Sequence, residues 1–135
     1  MSKAKIKILL VEDDLSMGVL MVDFLTLEGF DVVLQRDGNA GWKAFQTIPF
    51  DFCILDVMLP GLDGFSLAEK IRGLHPAIPI IFVTARTMKA DKIKGFQLGV
   101  DDYITQPFHE EELSYRIRAT MGRVQISVAG RFEHQ

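Results

Sequence analysis

Three carboxylates stand in a row at Glu12-Asp13-Asp14, directly behind a short apolar run that ends at Val11. A fourth, Asp56, follows the apolar run "FCIL", and the hydroxyl of Thr84 follows "IIFV". Gln106-Pro107 comes directly after "DYIT". Each has an ordinary explanation by itself. An Asp behind a strand is commonly a cap or turn residue, "EDD" reads as a solvated turn, and Thr is a good strand former. Together they ask for more. If folding gathers Glu12, Asp13 and Asp56 in one pocket, each pair of charges about 5 Å apart repels by roughly 3 kcal/mol at an effective dielectric near 20. Either the acids keep their protons or a cation binds. A hard divalent ion with oxygen ligands, Mg2+ above all, suits such a cluster, and a backbone carbonyl from the loop after Asp56 could add a ligand.

The pocket exists only if the elements before these residues converge. Five apolar runs, 6–11, 31–35, 51–56, 78–84 and 102–105, read as strands. They lack polar alternation, which predicts strands covered on both faces and therefore a parallel sheet. Between them lie amphipathic stretches. The expected apolar faces are Met17, Leu20, Phe24 and Leu27; Ala40, Ala44 and Phe45; Phe65, Ala68, Ile71 and Leu74; Ile93 and Phe96; and Leu113, Ile117 and Met121. Asp14 is placed to cap the first helix and Gly29 to end it. Glu110, Glu111 and Glu112 load the first turn of the last helix with the charge its dipole favours. Five strand–helix units predict an open, doubly wound α/β sheet. Ligands of such sheets bind beyond the carboxyl ends of the strands, where the acids stand. The apolar period fades after Arg123, so residues 1–123 read as one domain and 124–135 as a linker or tail.

Composition narrows the function further. The 135 residues carry 15 basic and 18 acidic side chains, a net charge of -3 that gives no support for direct nucleic-acid binding by this segment. One cysteine forbids an internal disulfide and fits a reducing cytoplasm. The apolar run near the N-terminus is too short for a signal peptide or a membrane span. No glycine-rich phosphate loop follows the first strand, so nucleotide binding is poorly supported. A flavin would want a Ser/Thr-rich loop where "VEDDLSM" stands. Aspartyl phosphatases and mutases of another α/β class carry a second Asp two residues after the nucleophile, where this chain has Met58.

In combination, "ILLVEDD", "ILDVMLPGLDGF", "IIFVTAR" and "LGVDDYITQPF" resemble the signature segments of bacterial two-component response-regulator receiver domains, over residues 6 to about 123. The second and fourth look most like the winged-helix (OmpR/PhoB-type) subfamily. The resemblance implies a flavodoxin-like (βα)5 sheet with strand order 2-1-3-4-5. It implies that Asp56 is a phosphoacceptor for a sensor histidine kinase. Glu12 and Asp13 would hold Mg2+, with Asp56 and the Met58 carbonyl as further ligands. Thr84 would be the switch hydroxyl, the Ala85 N–H a second phosphoryl contact, and Tyr103 the aromatic that follows Thr84 inward. The Gln106-Pro107 bond is expected to be cis. Met58 and Arg86, two residues beyond Asp56 and Thr84, offer little help to an attacking water, which implies slow loss of the phosphoryl group.

The output implied is a homodimer through the face of the fourth helix, fifth strand and fifth helix. Lys92, Asp101, Asp102, Glu112, Arg116 and Arg123 would supply ion pairs around Ile93 and Phe96, leading to transcription regulation. A solvated charged face is the plainer reading of the same residues. One position departs from the family pattern: Gln106 stands where a Lys is usual. That substitution opens an alternative, a phosphorylation-independent receiver that serves as a dimerisation or protein-binding module. Cys53 and Trp42 look structural, and His75, His109 and His134 show no ligand spacing.

Overall fold

The computed structural model describes residues 5–133, with side chains described from Lys5 to Arg123. Five strand–helix units follow one another: β1 (Lys7–Val11), α1 (Leu15–Leu27), β2 (Asp31–Gln35), α2 (Gly38–Thr47), β3 (Phe52–Leu55), α3 (Gly64–Leu74), β4 (Ile80–Thr84), α4 (Lys89–Gln97), β5 (Asp102–Thr105) and α5 (Glu110–Glu133). The strands pair in parallel in the order β2-β1-β3-β4-β5, as the sequence led us to expect. In register, Leu9 stands beside Cys53, Cys53 beside Ile80 and Phe82 beside Tyr103.

Strand side chains alternate between two apolar layers. Leu9, Val11, Cys53, Leu55, Ile80, Phe82 and Tyr103 face one way, with Phe65, Leu67, Ala68 and Ile71 of α3. Ile8, Leu10, Phe52, Ile54, Ile81, Val83 and Ile104 face the other, with Met21 and Leu25 of α1 and Leu113 and Ile117 of α5. Aspartates at the N-caps start three helices. Asp14 accepts from the Met17 N–H, Asp37 from Ala40 and Asp63 from Ser66, each satisfying one of the helix's orphan donors.

The face expected for α1 is corrected. Met17, Leu20, Phe24 and Leu27 were expected to point inward, but the buried residues are Gly18, Met21 and Leu25. Leu20 and Leu27 are exposed, and Met17 and Phe24 are only partly covered. The helix is apolar nearly all round, so periodicity cannot select its buried side. Close approach does: a Cβ on Gly18 would sit 3.1 Å from a Leu34 methyl of β2. On α3, Leu74 likewise lies outside the face formed by Phe65, Ala68 and Ile71.

Helical backbone in α5 continues to Glu133, past the point where the apolar period fades. The side chains of 124–135 lie outside the described residues, and with them the expectation of a linker or tail there.

Candidate functional site

Parallel pairing sends the carboxyl ends of β1, β3, β4 and β5 to one edge, so the residues that follow them meet. Glu12 leaves β1 with its amide bonded to the Gln35 carbonyl of β2, and the Asp56 amide donates to the Val11 carbonyl. These two backbone bonds fix the two acids side by side. Behind them, Gly64 packs so tightly that a Cβ there would lie 2.0 Å from the Asp56 carbonyl oxygen. The residue that opens α3 is thus held small by the residue that closes β3.

Glu12 is almost fully buried, at 3% exposure. Burial pushes its carboxyl up from an ordinary 4.5 to about 7, and the adjacent Asp56 adds to the rise. Two donors work against it: the Asp14 N–H at 3.1 Å from Oε2 and the Gln106 Nε2 at 3.3 Å from Oε1. Gln106 therefore reaches into the acid cluster, but the partner it takes is Glu12. Asp56 is half-buried, and its Oδ1 accepts from the Met58 N–H at 3.0 Å. Asp13 is exposed and lies with Met58 on the wall of a cavity of about 520 Å3.

The three expected acids thus divide by depth. Glu12 and Asp56 meet inside, and Asp13 stands at the mouth. Among the described residues, no three His, Cys, Asp or Glu side chains close into a ready metal-holding group. The donor set is all oxygen: two accessible carboxylates, Asp13 and Asp56, with Glu12 behind them. That suits an ion such as Mg2+, which takes one or two protein carboxylates and keeps much of its water.

Thr84 is fully buried, and its Oγ1 accepts from the Arg86 N–H at 3.3 Å. Ala85 is exposed at the start of the β4–α4 loop. Tyr103 is buried, edge-on to Phe82 with ring centroids 5.9 Å apart, and its hydroxyl donates to the Arg86 carbonyl at 2.9 Å. The β4–α4 loop is thus tied to β5 from below. The Gln106-Pro107 peptide is cis.

Sequence reading missed one feature of this loop. Arg86 forms a two-pronged pair with Asp91 in the first turn of α4, at 3.0 and 3.2 Å. Both line the 520 Å3 cavity, with Asp63 and Lys94. The guanidinium holds the Asp91 carboxyl below its usual range. The only hint in the sequence was an acid in the first turn of a weakly apolar helix, which the dipole alone explains.

On the α4–β5–α5 face, Ile93 and Phe96 are exposed. Arg116 reaches Asp102 at 2.9 Å and Glu112 at 3.3 Å. Asp101 turns to Arg72 of α3 at 3.1 Å and caps the Ile80 N–H at 2.8 Å. Arg123 donates to Thr120, and Lys92 is half-buried. The charges expected to pair between copies are therefore largely paired within the chain.

The response regulator receiver domain model matches residues 8–118. The chain belongs to that family. It is a signalling domain of two-component response regulators. It is 49% identical over 120 residues to the transcriptional regulatory protein RprY of Bacteroides fragilis, covering 89% of this chain and 51% of that protein. It is 41% identical over 119 residues to the transcriptional activator protein IrlR of Burkholderia pseudomallei, covering 88% of this chain and 52% of that protein. The chain spans about half the length of the curated relatives it matches. Among solved structures, the non-phosphorylated HemR receiver domain of Leptospira biflexa superposes with a TM-score of 0.81 at 32% identity, covering 86% of this chain and 94% of that one. No described helix of this receiver domain is long and apolar enough to cross a membrane.

Proposed function

We propose that the chain is a phosphorylation-operated switch in which Asp56 takes a phosphoryl group from a sensor histidine kinase. One observation carries this reading most: two carboxylates share a strand-end pocket with no cation among their contacts within the described residues, and one is pushed up to about 7. An arrangement that costs stability in the resting protein is what a site for a charged ligand requires.

The chain's own groups suit the reaction. The Met58 N–H holds Oδ1 of Asp56 and so orients the carboxylate that attacks phosphorus. Buried Glu12 crowds Asp56 from behind, which favours any positive partner in front. A Mg2+ ion held by Asp13, Asp56 and the Met58 carbonyl would supply the charge neutralisation and alignment that phosphoryl transfer chiefly needs. The Thr84 hydroxyl receives only a long bond from Arg86, so its own proton is free to be donated to a phosphoryl oxygen. The Ala85 N–H would donate to another. Because Tyr103 binds the carbonyl of Arg86, displacement of that loop must be felt in β5. The output would be pairing of two copies through Ile93 and Phe96, controlling transcription through a further domain such as the relatives' names suggest.

Gln106 supports a second reading, a receiver that works without phosphate, because its amide is engaged by Glu12. Intact-mass measurement after incubation with acetyl phosphate and Mg2+ separates the two. The expected result is one phosphoryl group on the chain and none on Asp56→Ala. An unmodified parent chain would sink the switch and leave the docking module.

A further inference from the structure

A phosphoryl group on Asp56 would bring nearly two negative charges to a pocket that already holds Glu12 and Asp13. Gln106 is neutral and bonded to Glu12, so it cannot balance them. Among the described residues, the cavity wall carries two cations, Arg86 and Lys94, and Arg86 is the better placed. Arg86 lies two residues beyond Thr84 and lines the same cavity as Asp13 and as Val57 and Met58, the two residues that follow Asp56. Its guanidinium is not locked in the core: the side chain is 41% exposed and, among the described residues, is held by Asp91 alone. Its backbone is the better-anchored part, with the N–H on Thr84 and the carbonyl on Tyr103. The head is therefore movable, while the attachment point is fixed at the switch hydroxyl. The other cation on the cavity wall, Lys94, lies over the Phe65 ring at 4.5 Å and springs from α4.

We infer that Arg86 is the phosphoryl-binding cation of this receiver, leaving Asp91 for the phosphoryl oxygens and so standing in for the positive charge that Gln106 does not provide. The inference rests on the phosphoacceptor reading of Asp56 and deepens it. In the reaction, an Asp56 carboxylate oxygen forms a bond to phosphorus while the bond from phosphorus to the donor breaks. With acetyl phosphate the electron pair leaves on acetate. Negative charge accumulates on the three equatorial oxygens in between, where a forked guanidinium binds well. The exchange also has a mechanical result. Arg86 and Asp91 are the tie between the β4–α4 loop and the first turn of α4. When the guanidinium moves to the phosphoryl group, Asp91 loses its partner and α4 is released at its N-terminus. The phosphoryl group and Asp91 compete for one cation, so the switch and its output are coupled by exchange of a single ion pair.

The test is the rate of acetyl-phosphate labelling with Mg2+, followed by intact mass, in parallel with circular dichroism to confirm folding. Arg86→Gln should label about tenfold to a hundredfold more slowly than the parent, the range for losing a charge-assisted contact, and Arg86→Lys should keep most of the rate. Asp91→Asn, which frees the guanidinium, should label faster. Adding Gln106→Lys to Arg86→Gln should restore the rate, because the cation returns from the other wall. A purely structural Arg86 would predict that Asp91→Asn and Arg86→Gln fail together and that Gln106→Lys rescues neither. The inference is overturned if Arg86→Gln labels at the parent rate, or if Asp91→Asn slows labelling. A parent chain that takes no label at all overturns the phosphoacceptor reading itself, and this inference with it.

Discussion

Two charged regions of the domain, about equally rich in acids, are managed in opposite ways. On the α4–β5–α5 side three acids have cations: Asp102 and Glu112 share Arg116, and Asp101 has Arg72. At the strand ends, among the described residues, Glu12 and Asp56 have each other, backbone N–H groups and the Gln106 amide. The first region is content as it stands, and its pairs, being partly exposed, contribute little each. The second holds charge in a pocket that burial makes expensive. That uncompensated cost is the ground for proposing a ligand there. Surface charge alone would have singled out the other face.

The largest way to break this contrast is to disturb the backbone that builds the uncompensated pocket. Gly64→Ala forces a Cβ against the Asp56 carbonyl. It should cost about 3 kcal/mol of stability in chemical denaturation and should also impair labelling, since Asp56 itself must shift. Unchanged denaturation would mean that the loop yields freely.

The next effect is a dependence on pH. Glu12 is raised from 4.5 to about 7 in the folded protein, so the folded state holds a proton that the unfolded state has released. Without metal, that contribution is fully present below about pH 4.5 and is lost as pH rises through about 7. Its size should be about 1–2 kcal/mol after allowance for solvent at the pocket mouth. Thermal melts between pH 5 and 8 should show it. Saturating Mg2+ should flatten the trend, because an ion favours the carboxylate.

Gln106→Lys places a compensating cation in the region that lacks one. It should abolish most of the Glu12 rise, and it should strengthen phosphate-dependent dimerisation by about 1 kcal/mol of coupling. If sedimentation with and without acetyl phosphate is unchanged in the variant, Gln106 is a neutral substitution. The smallest effect is expected on the compensated side. Arg116→Glu removes two partly exposed pairs and should cost no more than about 1 kcal/mol in the monomer. Any larger consequence should appear only in sedimentation of the phosphorylated protein, as a weaker dimer.

Much of this was legible beforehand. The parallel sheet, the Asp14 cap and the gathering of Glu12, Asp56, Thr84 and Gln106 at one edge follow from apolar runs without alternation and from polar residues placed just behind them, while the strand order came from the family resemblance. Depth was not legible. Glu12 and Asp13 are neighbours in sequence, yet one is buried and the other exposed, because successive residues leaving a strand point to opposite sides. The buried side of α1 was misjudged, since a helix apolar on all sides carries no phase. The engagement of Asp101 with Arg72, 29 residues away, has no local signature at all.

The sequence by itself determined the sheet, the edge where chemistry can occur and the absence of a cation at position 106, because these depend on residue type and on periods of two and 3.6. Tertiary structure alone decided which partner each polar group takes: Gln106 with Glu12, Tyr103 with the Arg86 carbonyl, and Arg86 with Asp91. Such choices turn on distances of a few tenths of an ångström between groups far apart in the chain, and only packing sets those distances.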